Sequence, residues 1–582
     1  MNLPAIERHA LAVIVLVAGA VPLAAPLAED SVLMRAMRDE LARSMAELRL
    51  EDAEKPYFLA YRVQERTYGG ATASLGGLLS SSEGVNRQLF VELRVGDYGF
   101  DNTNFRSMSS ASAMRPNIAT LSVDDDYDTL RRQIWLATDT AYKRALDQIA
   151  GKRAALQNQT QVKDVPDFSE MPPHRYDGGT DGQLDTAPAR TLARDVSTAM
   201  RGMAHLSRSE VRVTTHLERT WFVNSEGTEF VREAPYIGLH ALAAAQAVDG
   251  TELEDFVALW VRRWEDLPAP MVLAGQVSAM TQRLDQRREA AHLERYAGPV
   301  LFEGQAAAEL VSQVFGPRLV AIRMPTFDNP AMQQASARFR NPFLDKIGSR
   351  VLPRFLSMVS DPTIEGHEGV PLWGRQPVDD DGLPAQRTLL VERGILKTLL
   401  STRVPLAEVP DSTASRWRDM TVPGSFFVTP SRGLSDEELK QELFALAAER
   451  GLDHAIIVRR IGSRLATLNR RSSRYARDGR SSSVEPLIGA YKVFPDGREE
   501  LIPIAVLSTL SESDFRDIVN VSEATSRHDT GFSPSVDGRA TGFATWPVSV
   551  ITPALLFEDV SVRRPRANIP TPPLTPHPLS KG

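Results

Sequence analysis

Ten histidines and no cysteine limit the chemistry open to this chain of 582 residues. A zinc hydrolase needs two imidazoles and a water-activating carboxylate held on one rigid helix. The His-Glu pair His367-Glu368 is framed by Gly366 and Gly369, and Val370 to Trp373 supply no second histidine. That stretch reads as a turn rather than a metal site. Asp379-Asp380-Asp381-Gly382 gathers three carboxylates but lacks the spaced ligands of a calcium loop, so it reads as a solvated turn ahead of a strand. His528-Asp529, close to Gly531, reads as a polar loop. No serine sits in a GxSxG elbow, which leaves a serine triad without its local context. The absence of cysteine excludes disulfides, thiolate metal sites and thiol nucleophiles.

Other suggestive stretches weaken on inspection. Arg470, Arg471, Arg474, Arg477 and Arg480, with Tyr475 among them, could meet a phosphate or an acidic partner, but solvated loop charge is the preferred reading. Tyr68 to Gly77 is glycine-rich yet has neither the GxGxxG order nor a following Lys-Ser/Thr. A flexible hairpin connection is expected there. Asn520-Val521-Ser522 is a formal glycosylation sequon.

The elements that position these residues centre on Tyr296 to Gly316. Val300, Leu301 and Phe302 form a buried-strand run, Glu303-Gly304 a turn, and Gln305 to Phe315 a helix. Ala307, Leu310, Val311 and Val314 recur at helical spacing and predict one buried face. Gly316-Pro317 is expected to stop the helix through a left-handed cap. No metal ligand lies on the face so predicted.

Upstream, Asp30 is expected to cap a helix through Leu48, with Leu33, Met37, Leu41, Met45 and Leu48 on one stripe. Strands follow at 57–65 and 88–95, where Leu89, Val91, Leu93 and Val95 alternate with Phe90, Glu92 and Arg94. A helix is expected from Asp124 to Gly151, a strand over 210–217, and a hairpin turning at Asn224 to Gly227. Strands at 240–247 and 256–260 and a helix over 271–288 lead to a candidate boundary at 290–297. Beyond it lie a hairpin across Glu392-Arg393-Gly394, a helix from Ser435 to Arg450 stopped by Gly451, and strands at 454–459, 487–493, 498–506 and 548–560.

Hydrophobic residues at 42% and charged ones at 24% exclude a wholly disordered chain, and a net charge of −7 gives no general nucleic-acid footprint. Arg8 and His9 precede an apolar run over 10–21 and then a Pro- and Ala-rich stretch to Ala28. This run is too short to span a bilayer and fits a signal-peptide core, with cleavage after Ala25 or Ala28. An uncleaved anchor or a buried helix is the alternative. The expected mature chain is exported, periplasmic or extracellular, with no membrane span.

Several segments together resemble one family, TldD/PmbA, whose members were once labelled modulators of DNA gyrase. They are Arg94 to Tyr98 with Asp101 to Thr103, Asn224 to Thr228, Val300 to Glu309, Val359 to Asp361, Asp380 to Gly382 with Leu390 to Lys397, and Ser412-Thr413. The resemblance implies an α+β, two-domain architecture: an N-terminal helix-plus-antiparallel-sheet domain over 29–290, a β-rich C-terminal domain over 297–564, and a proline-rich tail over 565–582. In the catalytic branch of that family an HExxxH helix holds zinc and its glutamate activates water for peptide hydrolysis. The best register puts Val311, Ser312 and Gly316 at those positions, and the family's later cysteine ligand has no counterpart. In this respect the chain looks like the PmbA branch.

The implied role is a non-catalytic subunit without its own cofactor, dimerising with itself or with a zinc-bearing TldD-like paralogue and shaping a chamber for peptide substrate. Asp361, Asp380, Asp381, Ser412 and Thr413 are the groove candidates, with turn stabilisation as the alternative for each. A metallopeptidase with atypical ligands, His367 and Glu368 among them, and an envelope binding or scaffold protein are the rival readings.

Overall fold

The computed structural model describes residues 31–107, 117–157, 165–179, 182–463, 484–508, 510–533, 535–536, 539–540 and 546–565. The expected leader over 1–28, the Arg-rich stretch 464–483 and nearly all of the proline-rich tail lie outside the described residues. The fold is α+β, with two large sheets following one another along the chain.

The first half opens with α1 (Val32–Glu47), whose N-cap is Ser31, accepting the Met34 N–H. Asp30, the expected cap, lies outside the described residues. Strands β1 (Pro56–Ser74) and β2 (Gly77–Val95) form one long hairpin turned by Leu75 and Gly76, both at positive φ. The flexible connection expected over 68–77 is instead mostly paired strand, with Gly69 opposite Glu83 and Ala71 opposite Ser81. Its small residues have a packing reason: Ala71 and Ala73 are buried against Ala189 and Ala193 of α3 (Pro188–Ser197).

Short strands β3 (Phe105–Arg106), β4 (Ile118–Thr120) and β5 (Arg175–Asp177) flank α2 (Tyr127–Leu156). The long strands β6 (Leu206–Asn224), β7 (Glu229–Gln246) and β8 (Glu252–Val261) complete the sheet, in the order β4-β2-β1-β6-β7-β5 with β8 on β7. The turn between β6 and β7 falls where expected: Asn224 Oδ1 accepts the Glu226 and Thr228 N–H groups, and Gly227 has positive φ. Helix α2 does not stop at Gly151 but runs on to Leu156; the glycine lies against Phe105, where a Cβ would crowd the ring. Helices α1 and α2 cover one end of a sheet face, and α3 with α4 (Pro270–Glu289) covers the other end.

In the second half β9 (Arg295–Phe302) lies between strands Trp546–Arg563, antiparallel to it, and Ala455–Ile461, parallel to it. Both faces of β9 are buried, which explains its unbroken apolar run. Val300 and Phe302 face one core cluster, and Leu301 faces another beneath α7 (Asp436–Glu449). A capping box of Ser435 and Glu438 starts α7, and Gly451 follows its end at positive φ. The short α6 (Pro330–Ala337) lies at the edge.

The helix after β9 corrects two expectations. Helix α5 spans Gly304–Leu310, a π-helical turn takes Val311–Phe315, and a 3₁₀ turn takes Gly316–Leu319. Gly316 has φ −53°, so it is right-handed and not a left-handed stop. Nor is the helix amphipathic: Glu309, Ser312 and Gln313 are as buried as Leu310 and Val314. It is a core helix, enclosed on every side.

Candidate functional site

The π turn decides what the core helix can present. A π turn closes i→i+5 hydrogen bonds, and here the Gly316 N–H donates to the Val311 carbonyl. Residues five apart are thereby brought towards one face. Val311 is 2% exposed and Ser312 1%, with the Ser312 hydroxyl donating to the Gly531 carbonyl at 3.3 Å. A Cβ at Gly316 would lie 3.3 Å from Phe426 and 3.4 Å from Phe532, so aromatic rings fill the space beside it. Isopropyl carbons, a hydroxyl already hydrogen-bonded and a glycine do not fit zinc. Among the described residues no three histidine, aspartate or glutamate side chains converge to hold a metal ion.

One turn earlier the same helix buries Glu309, which had not been singled out from sequence. Gln313 Nε2 donates to Glu309 Oε2 at 2.8 Å and to the Gly462 carbonyl at 2.7 Å, while Gln313 Oε1 accepts the Glu485 N–H. His528 Nε2 stands 3.4 Å from Glu309 Oε1. His528 and Asp529 therefore belong to a paired strand, Ile518–Phe532, and not to the loop expected there. Asp529 is held by Arg527 and the Ser549 hydroxyl. No local pattern announces the Glu309–His528 approach, because the partners lie far apart in the chain.

Asp379 to Gly382 also differs from expectation. The loop is buried rather than solvated: Asp379 and Asp380 are each 1% exposed and Asp381 4%. Asp379 accepts the Asp381, Leu383 and Arg416 backbone N–H groups, which shapes the turn. Burial, reinforced by neighbouring Asp381, pushes its carboxyl up to about 8. Asp380 reaches the first sheet and takes Arg62 Nη1 of β1 at 3.0 Å and Arg232 Nη2 of β7 at 2.7 Å. Burial works against its charge, but those two guanidiniums outweigh it and hold the carboxyl well below the usual range. Asp381 Oδ1 takes Arg416 Nη1 at 2.5 Å.

Beside this loop a cavity of about 500 Å³ opens between β1, β2, α2 and the second half of the chain. Arg62, Arg94, Arg106, Arg144 and Arg416 contribute to its wall, against the acids Glu92, Asp380 and Asp419. Glu92 bridges Arg94 at 2.7 Å and Arg416 at 2.8 Å. Burial again opposes the Glu92 charge, and the two arginines overcome it and keep the carboxyl ionised. The cavity uses the second face of the alternation in β2: Phe90, Glu92 and Arg94 point here, opposite the core face of Leu89, Val91 and Leu93.

Of the five groove candidates only Asp380 reaches this wall. Asp361 Oδ1 accepts the Thr363 N–H and hydroxyl, closing the turn after its strand. Thr413 exchanges hydrogen bonds with Ser401, and the Ser412 hydroxyl accepts the Ala414 N–H. Those three shape turns. His367 and Glu368 lie on a two-stranded hairpin whose turn, Glu368-Gly369, has positive φ at both residues, as read from the framing glycines. Among the described residues no helix is long and apolar enough to cross a membrane.

Residues 295–443, which include β9, the core helix and the Asp379 loop, match the PmbA/TldA metallopeptidase C-terminal domain. A stretch of 61 residues is 39% identical to a metalloprotease of Methanocaldococcus jannaschii and spans 10% of this chain and 12% of that relative. The whole fold is similar to that of a Thermotoga maritima protein titled as a modulator of a DNA gyrase (TM-score 0.54, 14% identity, 87% of this chain and 96% of the other). It is similar as well to TldE from Thermococcus kodakarensis (TM-score 0.54, 13% identity, 92% and 100%). The matched domain, the shared architecture and the segments quoted from the sequence agree: residues 295–443 carry a PmbA/TldA metallopeptidase C-terminal domain, and the chain as a whole has the fold of TldE and its relatives.

Proposed function

We propose that this chain is an exported, metal-free member of the TldD/PmbA family that pairs with a zinc-bearing paralogue and contributes to peptide proteolysis without itself cutting the bond. The observation that carries this reading is the core helix. Its π turn keeps positions 311 and 316 towards one face, the arrangement that two ligands five residues apart would use. Valine, serine and glycine occupy the three positions, and Phe426 and Phe532 pack where an imidazole would have to sit. On this reading the helix corresponds to the ligand helix of the zinc-bearing branch, with its donors replaced. Export is supported by the basic start, short apolar run and small-residue stretch over 8–28.

Metal analysis of the purified chain after incubation with zinc tests the first part; the expected result is far less than one zinc per chain, and stoichiometric zinc overturns it. Co-expression with an HExxxH-bearing paralogue tests the pairing. The expected result is a stable complex whose peptidase activity needs the paralogue's histidines. If the chain never associates and never raises the paralogue's activity, the partnership fails. Mass spectrometry of the secreted protein, beginning after residue 25 or 28, tests export.

A further inference from the structure

The cavity beside Asp380 has walls of three kinds. Its cationic groups exceed its acids, five arginines to Glu92, Asp380 and Asp419. Two of those acids are already engaged, Glu92 by Arg94 and Arg416 and Asp380 by Arg62 and Arg232, while Asp101 and Asp381 take further contacts from Arg94 and Arg416. Arg62, 6% exposed, keeps its Nε without a hydrogen-bond partner although its guanidinium lies 4.6 Å over the Phe90 ring. Arg106, exposed at the mouth, forms no ion pair among the described residues. A buried N–H left unpaired in a cationic wall favours an anionic acceptor.

The other two kinds of wall narrow the anion. Phe90, Phe105 and Phe222 give the cavity an aromatic side, and Asn104 and Gln148 give it amide groups, the Asn102 amide being already tied to Val95 and Gln148. A bare inorganic ion would leave the rings and amides unused. A carboxylate joined to an amide and an apolar side chain would use all three, since guanidinium presents a planar fork to carboxylate oxygens. About 500 Å³ lies within the range of small-ligand pockets. We infer that this cavity is a binding site for the C-terminal end of a peptide, its carboxylate held by the arginine wall and its last side chain against the phenylalanines. The site is separate from the core helix, and the inference holds whether or not the chain pairs with a zinc-bearing relative.

Calorimetric titration of the full chain with an N-acetylated dipeptide ending in phenylalanine tests it, alongside the same dipeptide as its C-terminal amide and inorganic phosphate. The free acid is expected to bind saturably, at least about tenfold tighter than the amide and tighter than phosphate, about 1.4 kcal/mol being one decade. Arg106→Gln, a change at an exposed position, is expected to weaken the free acid several-fold, leaving amide binding and the thermal midpoint of the unliganded chain unchanged. Equal binding of acid and amide, preference for phosphate, or no saturable binding of the free acid overturns the assignment. The acid-to-amide ratio is read on the unaltered chain and does not depend on any variant folding.

Discussion

Arg62 of β1 places Nη1 3.0 Å from Oδ2 of Asp380, and the pair joins the two halves of the chain with both side chains withdrawn from water. Arg232 closes on the other carboxylate oxygen at 2.7 Å. One aspartate thus engages two guanidiniums at the seam, one on each carboxylate oxygen. Asp380→Asn keeps the shape and removes the charge, leaving two buried cations without compensation. The expected cost is about 3–5 kcal/mol in urea unfolding; a loss below about 1 kcal/mol would show that the seam is not held this way.

Arg403 makes a second seam contact that depends on a planar fork. It reaches both carboxylate oxygens of Glu226 at 2.7 and 2.6 Å, donates to the Ser169 carbonyl, and lies 4.0 Å over the Phe168 ring. A lysine retains the charge but makes one of these contacts at a time. Arg403→Lys is expected to lower stability by about 2–4 kcal/mol, read as a lower urea midpoint with unchanged slope.

His216 gives the fold an acid-sensitive point. Its ring stacks on Tyr236 at 4.3 Å, and burial, with Arg66 adding repulsion, lowers its pKa from 6.5 to about 4. The unfolded chain therefore takes up a proton that the folded chain refuses. The stability this contributes is complete above about pH 6.5 and is lost as the pH falls from there through about 4, a total of about 3 kcal/mol. His216→Phe is expected to remove that slope. The check is the difference between variant and parent in urea unfolding at about pH 7 and about pH 4.5; parallel pH profiles would refute it.

Gly382 closes the Asp379 loop at φ +82°, and a Cβ there would collide with Thr228 Cγ2. Gly382→Ala therefore meets both a left-handed backbone and a crowded neighbour, an expected loss of about 2 kcal/mol or more. Thr228→Ser removes the methyl and keeps the hydroxyl that accepts the His174 N–H. The double variant is expected to recover the steric part and not the conformational part, as a double-mutant cycle in thermal unfolding would show.

Local chemistry was enough for the elements whose signals lie within a few residues. The Ser435 cap with Glu438, the positive-φ Gly451, the Asn224–Gly227 turn and the alternation in β2 all follow from neighbouring side chains acting on the same short backbone.

What tertiary structure decided is what covers each face. Alternation puts Glu92 and Arg94 opposite Leu93, but it does not say that the second half of the chain lies over them and makes their charges a buried network. Three consecutive aspartates read as solvated until Arg62, Arg232 and Arg416, from three distant segments, converge on them. Gly316 reads as a stop until a fully enclosed helix tightens through a π turn and carries on. Each case turns on a partner far away in sequence: spacing along a chain fixes which way a side chain points, and only packing fixes what it meets.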